Sequence, residues 1–120
     1  MTNDRLPNSG AENPSDDPLA GDPELRRELA GLFLEDCPKL LIQIRAAITN
    51  RDGPELKIAA HTLKGSAGVF KDNPAYEAAL RMEHIGSDAN WKQAEEAWEI
   101  VQGEMARLSA MLACDIASSG

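Results

Sequence analysis

Apolar residues recur every three or four positions between residues 23 and 116, which is the spacing of one face of an α-helix. Aromatic residues make up only 4% of the chain. No segment shows the two-residue alternation that is typical of strands. Residues that start or stop helices divide this region into five segments, at about 23–36, 38–51, 54–71, 74–86 and 91–116. The sequence therefore predicts an all-α fold.

Proline marks most of the predicted helix starts. Pro23, Pro38, Pro54 and Pro74 each stand at the first turn of a segment, where a missing backbone N–H costs nothing. Asn90 is expected to cap the last helix. Connections of only a few residues make neighbouring helices run antiparallel. We therefore expect an antiparallel up-and-down four-helix bundle with an additional N-terminal helix.

The predicted bundle occupies one part of the chain, and its length of 120 residues suits a single domain. Residues 1–22 hold five acidic residues against one basic residue, with three prolines and few large apolar residues. Such a composition predicts a disordered acidic tail. The helical bundle is expected over residues 23–116, and residues 117–120 are expected to be a frayed C-terminus.

Charge and hydropathy argue against several classes of partner. A formal net charge of −8 disfavours nucleic acid and anionic membrane surfaces. No apolar run approaches the roughly 18 residues of a membrane span. Cys37 and Cys114 are far apart and form no metal-ligand motif, which suits a reducing cytoplasm, although the sequence leaves a disulfide between them open. We expect a cytoplasmic monomer.

The run at residues 60–68 reads Ala-His-Thr-Leu-Lys-Gly-Ser-Ala-Gly. At about 100° per residue, His61, Gly65 and Gly68 lie opposite the apolar stripe of this helix, and two lysines flank them. A glycine inside a helix costs about 1 kcal/mol relative to alanine. Glycines beside a histidine therefore indicate that something approaches the backbone closely there. The stripe itself consists of small and apolar residues: Leu56, Ala59, Ala60, Leu63, Ser66, Ala67 and Phe70.

This run resembles the signature of the histidine-containing phosphotransfer (HPt) domain, in which a histidine is followed by an apolar residue, a lysine, a glycine and small residues. The resemblance extends in helix order over residues 24–112. It implies a helical bundle that carries a phosphoryl group on the histidine. One departure is Lys71, where the family usually has glycine. The matching residues are His61, Leu63, Lys64, Gly65 and Ser66.

An exposed imidazole suits such a role because its unprotonated nitrogen is a good nucleophile near neutral pH. Lys64 follows His61 by one helical turn, so its ammonium can meet phosphoryl oxygens. By resemblance, Glu83 accepts a hydrogen bond from the other imidazole nitrogen, although a plain solvent-facing glutamate is the alternative. His84 has no partner in the motif and is expected to be a surface or partly packed histidine. A face that docks receiver domains is expected from Lys57, Ile58, Gly65, Gly68, Val69 and Lys71.

Three functions compete. The first is a phosphorelay intermediate that carries the phosphoryl group on His61 between a histidine kinase, or a receiver-domain aspartate, and a response regulator. The chain has no Gly-rich nucleotide loop and is too short for an ATP-binding domain, so we expect a carrier and not an enzyme. No cofactor is expected, with Mg²⁺ only in the partner receiver domain. The second function is a helical-bundle adaptor that binds receiver domains without carrying phosphate. An autonomous hydrolase ranks last, since no catalytic triad is evident.

Overall fold

The computed structural model describes residues 22–70 and 73–119, and these residues form helices and turns but no strand. The predicted acidic tail lies outside the described residues, apart from Asp22. The all-α prediction is confirmed. The helices are α1 (Pro23–Thr49), α2 (Gly53–Ala67), α3 (Pro74–Asp88) and α4 (Ala94–Ser119), and a short 3₁₀ turn (Trp91–Gln93) precedes α4.

The four helices pack in a ring. Helix α1 contacts α2 and α4, and α3 contacts the same two helices from the other side. The edge formed by α2 and α3 therefore lies opposite the edge formed by α1 and α4. Ion pairs join Arg26 to Asp115 and Arg45 to Glu95, so α1 and α4 run antiparallel.

The predicted helix start at Pro38 is wrong, because α1 continues through this proline. Its buried residues Phe33, Cys37, Leu40 and Ile44 form one stripe that passes Pro38, which is itself exposed. A proline inside a helix costs about 3 kcal/mol. The continuous core on both sides of Pro38 outweighs this cost. The additional N-terminal helix is therefore the first half of α1, and the described residues contain four α-helices where five were expected.

Other helix ends also differ from the prediction. Helix α2 ends at Ala67 with Gly68 as its C-cap, whereas the sequence indicated an end near Lys71, which lies outside the described residues. Phe70 then turns inward and packs edge-on against Phe33. The side chain of Asn90 makes no capping hydrogen bond, and the 3₁₀ turn follows it directly.

Side chains do cap the starts of α1, α2 and α3. Asp22 accepts a hydrogen bond from the backbone N–H of Leu25, and Asp52 accepts one from Glu55. Asn73 does more than cap α3. Its side-chain oxygen accepts from the backbone N–H of Tyr76, while its amide nitrogen donates to the carbonyl oxygens of residues 67 and 70. One side chain therefore ties the end of α2 to the start of α3.

Two glycines let α2 and α3 approach closely at their other ends. A Cβ atom on Gly86 would lie 2.7 Å from the backbone nitrogen of Lys57, and one on Gly53 would lie 2.8 Å from the carbonyl oxygen of Gly86. No side chain fits at either position without moving a helix backbone. This close contact sets the register in which Glu83 of α3 faces His61 of α2.

Candidate functional site

His61 lies on the exposed side of α2, and its side chain is 66% exposed. The stripe predicted for the opposite side is confirmed. Ser66 is partly buried, and the other six members are buried in the core. Burial of this stripe therefore orients α2 so that His61 faces solvent.

Glu83 lies opposite His61 across the groove between α2 and α3. Its Oε2 is 3.0 Å from Nδ1 of His61, and its side chain is only 14% exposed. An ionised carboxylate can only accept hydrogen bonds. Nδ1 therefore carries the proton and donates a hydrogen bond to Glu83. The lone pair of the imidazole is then on Nε2, the nitrogen that Glu83 does not contact.

Lys64 shares the same carboxylate. Its Nζ lies 2.8 Å from Oε1 of Glu83, and its side chain is 18% exposed. The hydrogen bond from Lys64 lowers the pKa of Glu83 below its ordinary value; partial burial opposes this, and the bond from His61 adds to it. The same pair raises the pKa of Lys64. Glu83 is therefore ionised at neutral pH, with one oxygen on His61 and the other on Lys64.

The two glycines near His61 have different surroundings. A Cβ atom on Gly65 would meet nothing within 4 Å. A Cβ atom on Gly68 would lie 3.1 Å from Cδ2 of Tyr76, on α3. Packing against Tyr76 thus accounts for the missing side chain at Gly68, whereas Gly65 leaves an open, bare patch of helix one turn from His61.

Three other residues proposed for docking can be placed in the structure. Ile58 precedes His61 by one turn and is 61% exposed, Lys57 is exposed, and Val69 is partly buried. Lys71 lies outside the described residues. His84 is exposed.

A surface depression beside His61 adds residues that the sequence pattern did not single out. Pro54 and Thr62 line it together with Lys57, Ile58, His61 and Glu83. Tyr76 was missed as well. A signal for it exists, since Tyr76 precedes Glu83 by seven residues and therefore lies on the same face of α3, two turns away.

In the described part of the chain, no group of three or more His, Cys, Asp or Glu side chains is arranged to hold a metal ion. Neither Cys37, which is buried, nor Cys114, which is exposed, forms a disulfide. None of the described helices is long and apolar enough to cross a membrane.

Comparisons with known proteins bear on the family of this chain. No curated protein and no solved structure matches the chain significantly. The family model of the Hpt domain matches residues 28–112, which is well over half of the chain and includes His61, Lys64 and Glu83. Hpt domains are phosphocarrier modules of two-component signalling, not autonomous kinases, and they interact with receiver domains and histidine kinases. The chain belongs to the Hpt domain family.

Proposed function

We propose that this chain is a phosphorelay intermediate that accepts a phosphoryl group on Nε2 of His61. The donor is a (hybrid) histidine kinase or the phosphorylated aspartate of a receiver domain, and the acceptor is a response regulator. One observation carries the proposal. Nδ1 of the exposed His61 is held by Glu83 at 3.0 Å, which leaves Nε2 as the nucleophilic nitrogen.

The transfer step follows from this arrangement. The Nε2 lone pair attacks the phosphorus of an aspartyl phosphate in line, an N–P bond forms, and the aspartyl O–P bond breaks to release the carboxylate. No proton moves, because Nδ1 keeps its proton and its bond to Glu83. The phosphorylated ring has a positive formal charge, and the carboxylate of Glu83 stabilises it. The reverse step delivers the phosphoryl group to the next aspartate.

Lys64 supplies charge compensation. The oxygens of the phosphoryl group bring roughly −2 of charge close to the carboxylate of Glu83. Lys64 is already bound to that carboxylate and lies one helical turn from His61. Its ammonium reaches a phosphoryl oxygen by a side-chain rotation, and the contact is a charge-assisted hydrogen bond.

The partner surface follows from the surroundings of His61. Gly65 gives a partner's loops access to the helix backbone, Ile58 offers an exposed apolar contact, and Lys57 adds positive charge for an acidic receiver pocket. The Mg²⁺ of the reaction is expected to belong to that acidic pocket. We place the carrier in the cytoplasm, where kinases and response regulators meet.

The alternative is an adaptor that binds receiver domains without carrying phosphate. Such a protein needs the docking face but has no use for an oriented imidazole. The bond between His61 and Glu83 therefore favours the carrier.

Transfer from a phosphorylated receiver domain separates the two functions. Wild type and His84→Gln should take up an acid-labile label, whereas His61→Gln should not. His84 is the matched control because it is the chain's other histidine and is exposed on α3. Label retained by His61→Gln would contradict the assignment. Binding of the receiver without any label on wild type would support the adaptor.

A further inference from the structure

Tyr76, a residue of α3, covers the C-terminal end of α2. A Cβ atom on Gly68 would lie 3.1 Å from Cδ2 and 3.2 Å from Cε2 of its ring. One edge of the ring therefore lies against the backbone at Gly68, and the missing side chain there makes room for it. The side chain of Tyr76 is partly buried.

The backbone of Tyr76 is fixed in this place as well. Oδ1 of Asn73 accepts a hydrogen bond of 2.9 Å from the backbone N–H of Tyr76. Nδ2 of Asn73 donates to the carbonyl oxygen of Ala67, also at 2.9 Å, and to that of Phe70. The start of α3 is thereby tied to the end of α2, and the ring of Tyr76 is held at this junction.

Lys64 lies between Tyr76 and Glu83 along the groove that separates α2 from α3. His61 meets Glu83 in one contact across the groove, and Gly68 meets Tyr76 in another. Since the later residue of α2 meets the earlier residue of α3, the helices are antiparallel and Lys64 lies between the two contacts. Tyr76 and Glu83 are about 10 Å apart along α3 at 1.5 Å per residue. Lys64 is only 18% exposed, which is low for a lysine and fits confinement between them.

The electrostatics of Lys64 agree with this placement. The hydrogen bond to Glu83 is the largest cause of the raised pKa of Lys64; partial burial opposes it, and the charge of Glu83 adds to it. Tyr76 makes a smaller contribution in the same direction. An interaction between two titrating groups falls off with distance. The phenol of Tyr76 is therefore a neighbour of Lys64 as well as of Gly68.

The ring also closes the other direction that the ammonium of Lys64 could take. A lysine in the last turn of a helix is attracted to the terminal carbonyl oxygens, and Lys64 stands in the last turn of α2. The way to that end leads past Gly68, where the ring of Tyr76 lies. The carbonyl oxygen of Ala67 already accepts a hydrogen bond from Asn73. The ammonium is therefore kept at the end of the groove that holds the nucleophile.

We propose that Tyr76 is a positioning residue for phosphoryl transfer, whose ring keeps the ammonium of Lys64 at the His61 end of the groove. This inference rests on the proposed function, in which Lys64 leaves Oε1 of Glu83 and donates a hydrogen bond to a phosphoryl oxygen. The ring removes rotamers of Lys64 that point away from His61, so less side-chain entropy is lost when that bond forms. Tyr76 thus acts through Lys64 and not on the phosphoryl group.

Single-turnover transfer from a phosphorylated receiver domain, measured at rising receiver concentration, tests this role. Tyr76→Ala should lower the saturated rate at least about threefold, because a small misplacement of a catalytic group is costly. The half-saturating concentration should stay unchanged. Tyr76→Phe retains the ring and should restore a nearly wild-type rate. Val101→Ala, which leaves a cavity in the core on α4, is the control for lost stability and should transfer normally.

A double-mutant cycle separates action through Lys64 from a general effect on the fold. In the Lys64→Ala background, Tyr76→Ala should slow transfer no further, because the group that it positions is absent. Circular dichroism checks that both single variants and the double variant are folded. The same loss of rate in the wild-type and Lys64→Ala backgrounds would overturn the proposal. A change in the half-saturating concentration alone would also overturn it.

The exchange of ammonium protons with water gives a readout that needs no phosphoryl transfer. By NMR of the unphosphorylated chain, Lys64 should exchange these protons more slowly in wild type and Tyr76→Phe than in Tyr76→Ala. Lys57, which is exposed on the same helix, is the control and should not respond. Equal exchange at Lys64 in all three proteins would overturn the proposal. Failure of the proposed function looks different, since wild type would then take up no label on His61 while the exchange at Lys64 still reports whether Tyr76 holds it.

Discussion

The carboxylate of Glu83 lies 3.0 Å from Nδ1 of His61, so a residue of α3 sets the orientation of the imidazole on α2. The same carboxylate holds Lys64 through its other oxygen, at 2.8 Å. The nucleophile, its orienting group and its cation thus form one connected unit across the α2/α3 groove. Four of the predictions below follow from this unit.

Glu83→Ala should slow phosphoryl uptake by about tenfold or more, which corresponds to roughly 1.4 kcal/mol of transition-state stabilisation. The loss follows because Nδ1 and Lys64 both lose their partner. Glu83→Gln should retain more activity, since an amide oxygen still accepts from Nδ1 but no longer pairs with Lys64 or offsets the charge of the ring. Single-turnover transfer from a phosphorylated receiver measures both rates, with circular dichroism as the check on folding. Equal rates in wild type and Glu83→Ala would show that the imidazole needs no orientation.

The contacts of Glu83 with His61 and Lys64 should also make the free energy of unfolding depend on pH in the acidic range. The folded state lowers the pKa of Glu83 below its ordinary value of 4.5, so this group stabilises the fold above that pH. The contribution is lost as the pH falls from 4.5 through the lower pKa of the folded state. Urea unfolding of wild type and Glu83→Gln should therefore differ at neutral pH and converge on acidification. A difference that stayed constant down to pH 3 would contradict the linkage.

Lys64→Ala should slow transfer or shorten the lifetime of the phosphohistidine at both low and high salt. The reason is that Lys64 is partly buried in direct contact with Glu83, where salt screens little. Lys57→Ala is the matched control, because Lys57 is exposed on the same side of α2. Its effect should appear in receiver binding and fade as salt rises. Transfer rates measured against receiver concentration at two ionic strengths separate the two lysines. Identical salt dependence of both variants would refute this division.

Gly65 should prove to serve access and not folding. Gly65→Ala has open space around the new methyl group and should raise the free energy of unfolding by up to about 1 kcal/mol. Gly68→Ala meets Tyr76 at 3.1 Å and should gain less or lose stability. Gly65→Gln should block transfer while thermal unfolding remains cooperative. Normal transfer by Gly65→Gln would show that partners do not approach over this patch.

Local signals in the sequence predicted the parts of the fold that depend on local interactions. The predicted helix starts at Pro23, Pro54 and Pro74 agree with the structure to within one residue. Asp22, Asp52 and Asn73 cap these helices by bonding backbone N–H groups three residues on. Pro38 was misassigned because the core formed by other helices decides whether a proline is tolerated. The turn at Asn90 likewise depends on how α3 and α4 pack.

In the candidate site, too, features that depend on one helix were predictable, and features that depend on contacts between helices were not. His61 and the core stripe beneath it were predictable from one helix, since 3.6-residue periodicity places them on opposite sides. The reason for a glycine at position 68 was not predictable, because the side chain that it packs against, Tyr76, lies on another helix. Glu83 is 22 residues from His61 across a turn, so only family resemblance pointed to it before the structure placed the two side chains in contact.

The position of the phosphoryl group on the imidazole tests the central claim most directly. Wild-type protein with ¹⁵N-labelled histidine, phosphorylated by a receiver domain or a kinase, can be examined by ³¹P–¹⁵N correlation NMR. Because Glu83 holds the proton on Nδ1, phosphorus should couple to Nε2 of His61, and Nδ1 should remain an N–H donor. Phosphorus coupled to Nδ1 of His61, or to either nitrogen of His84, would contradict the account.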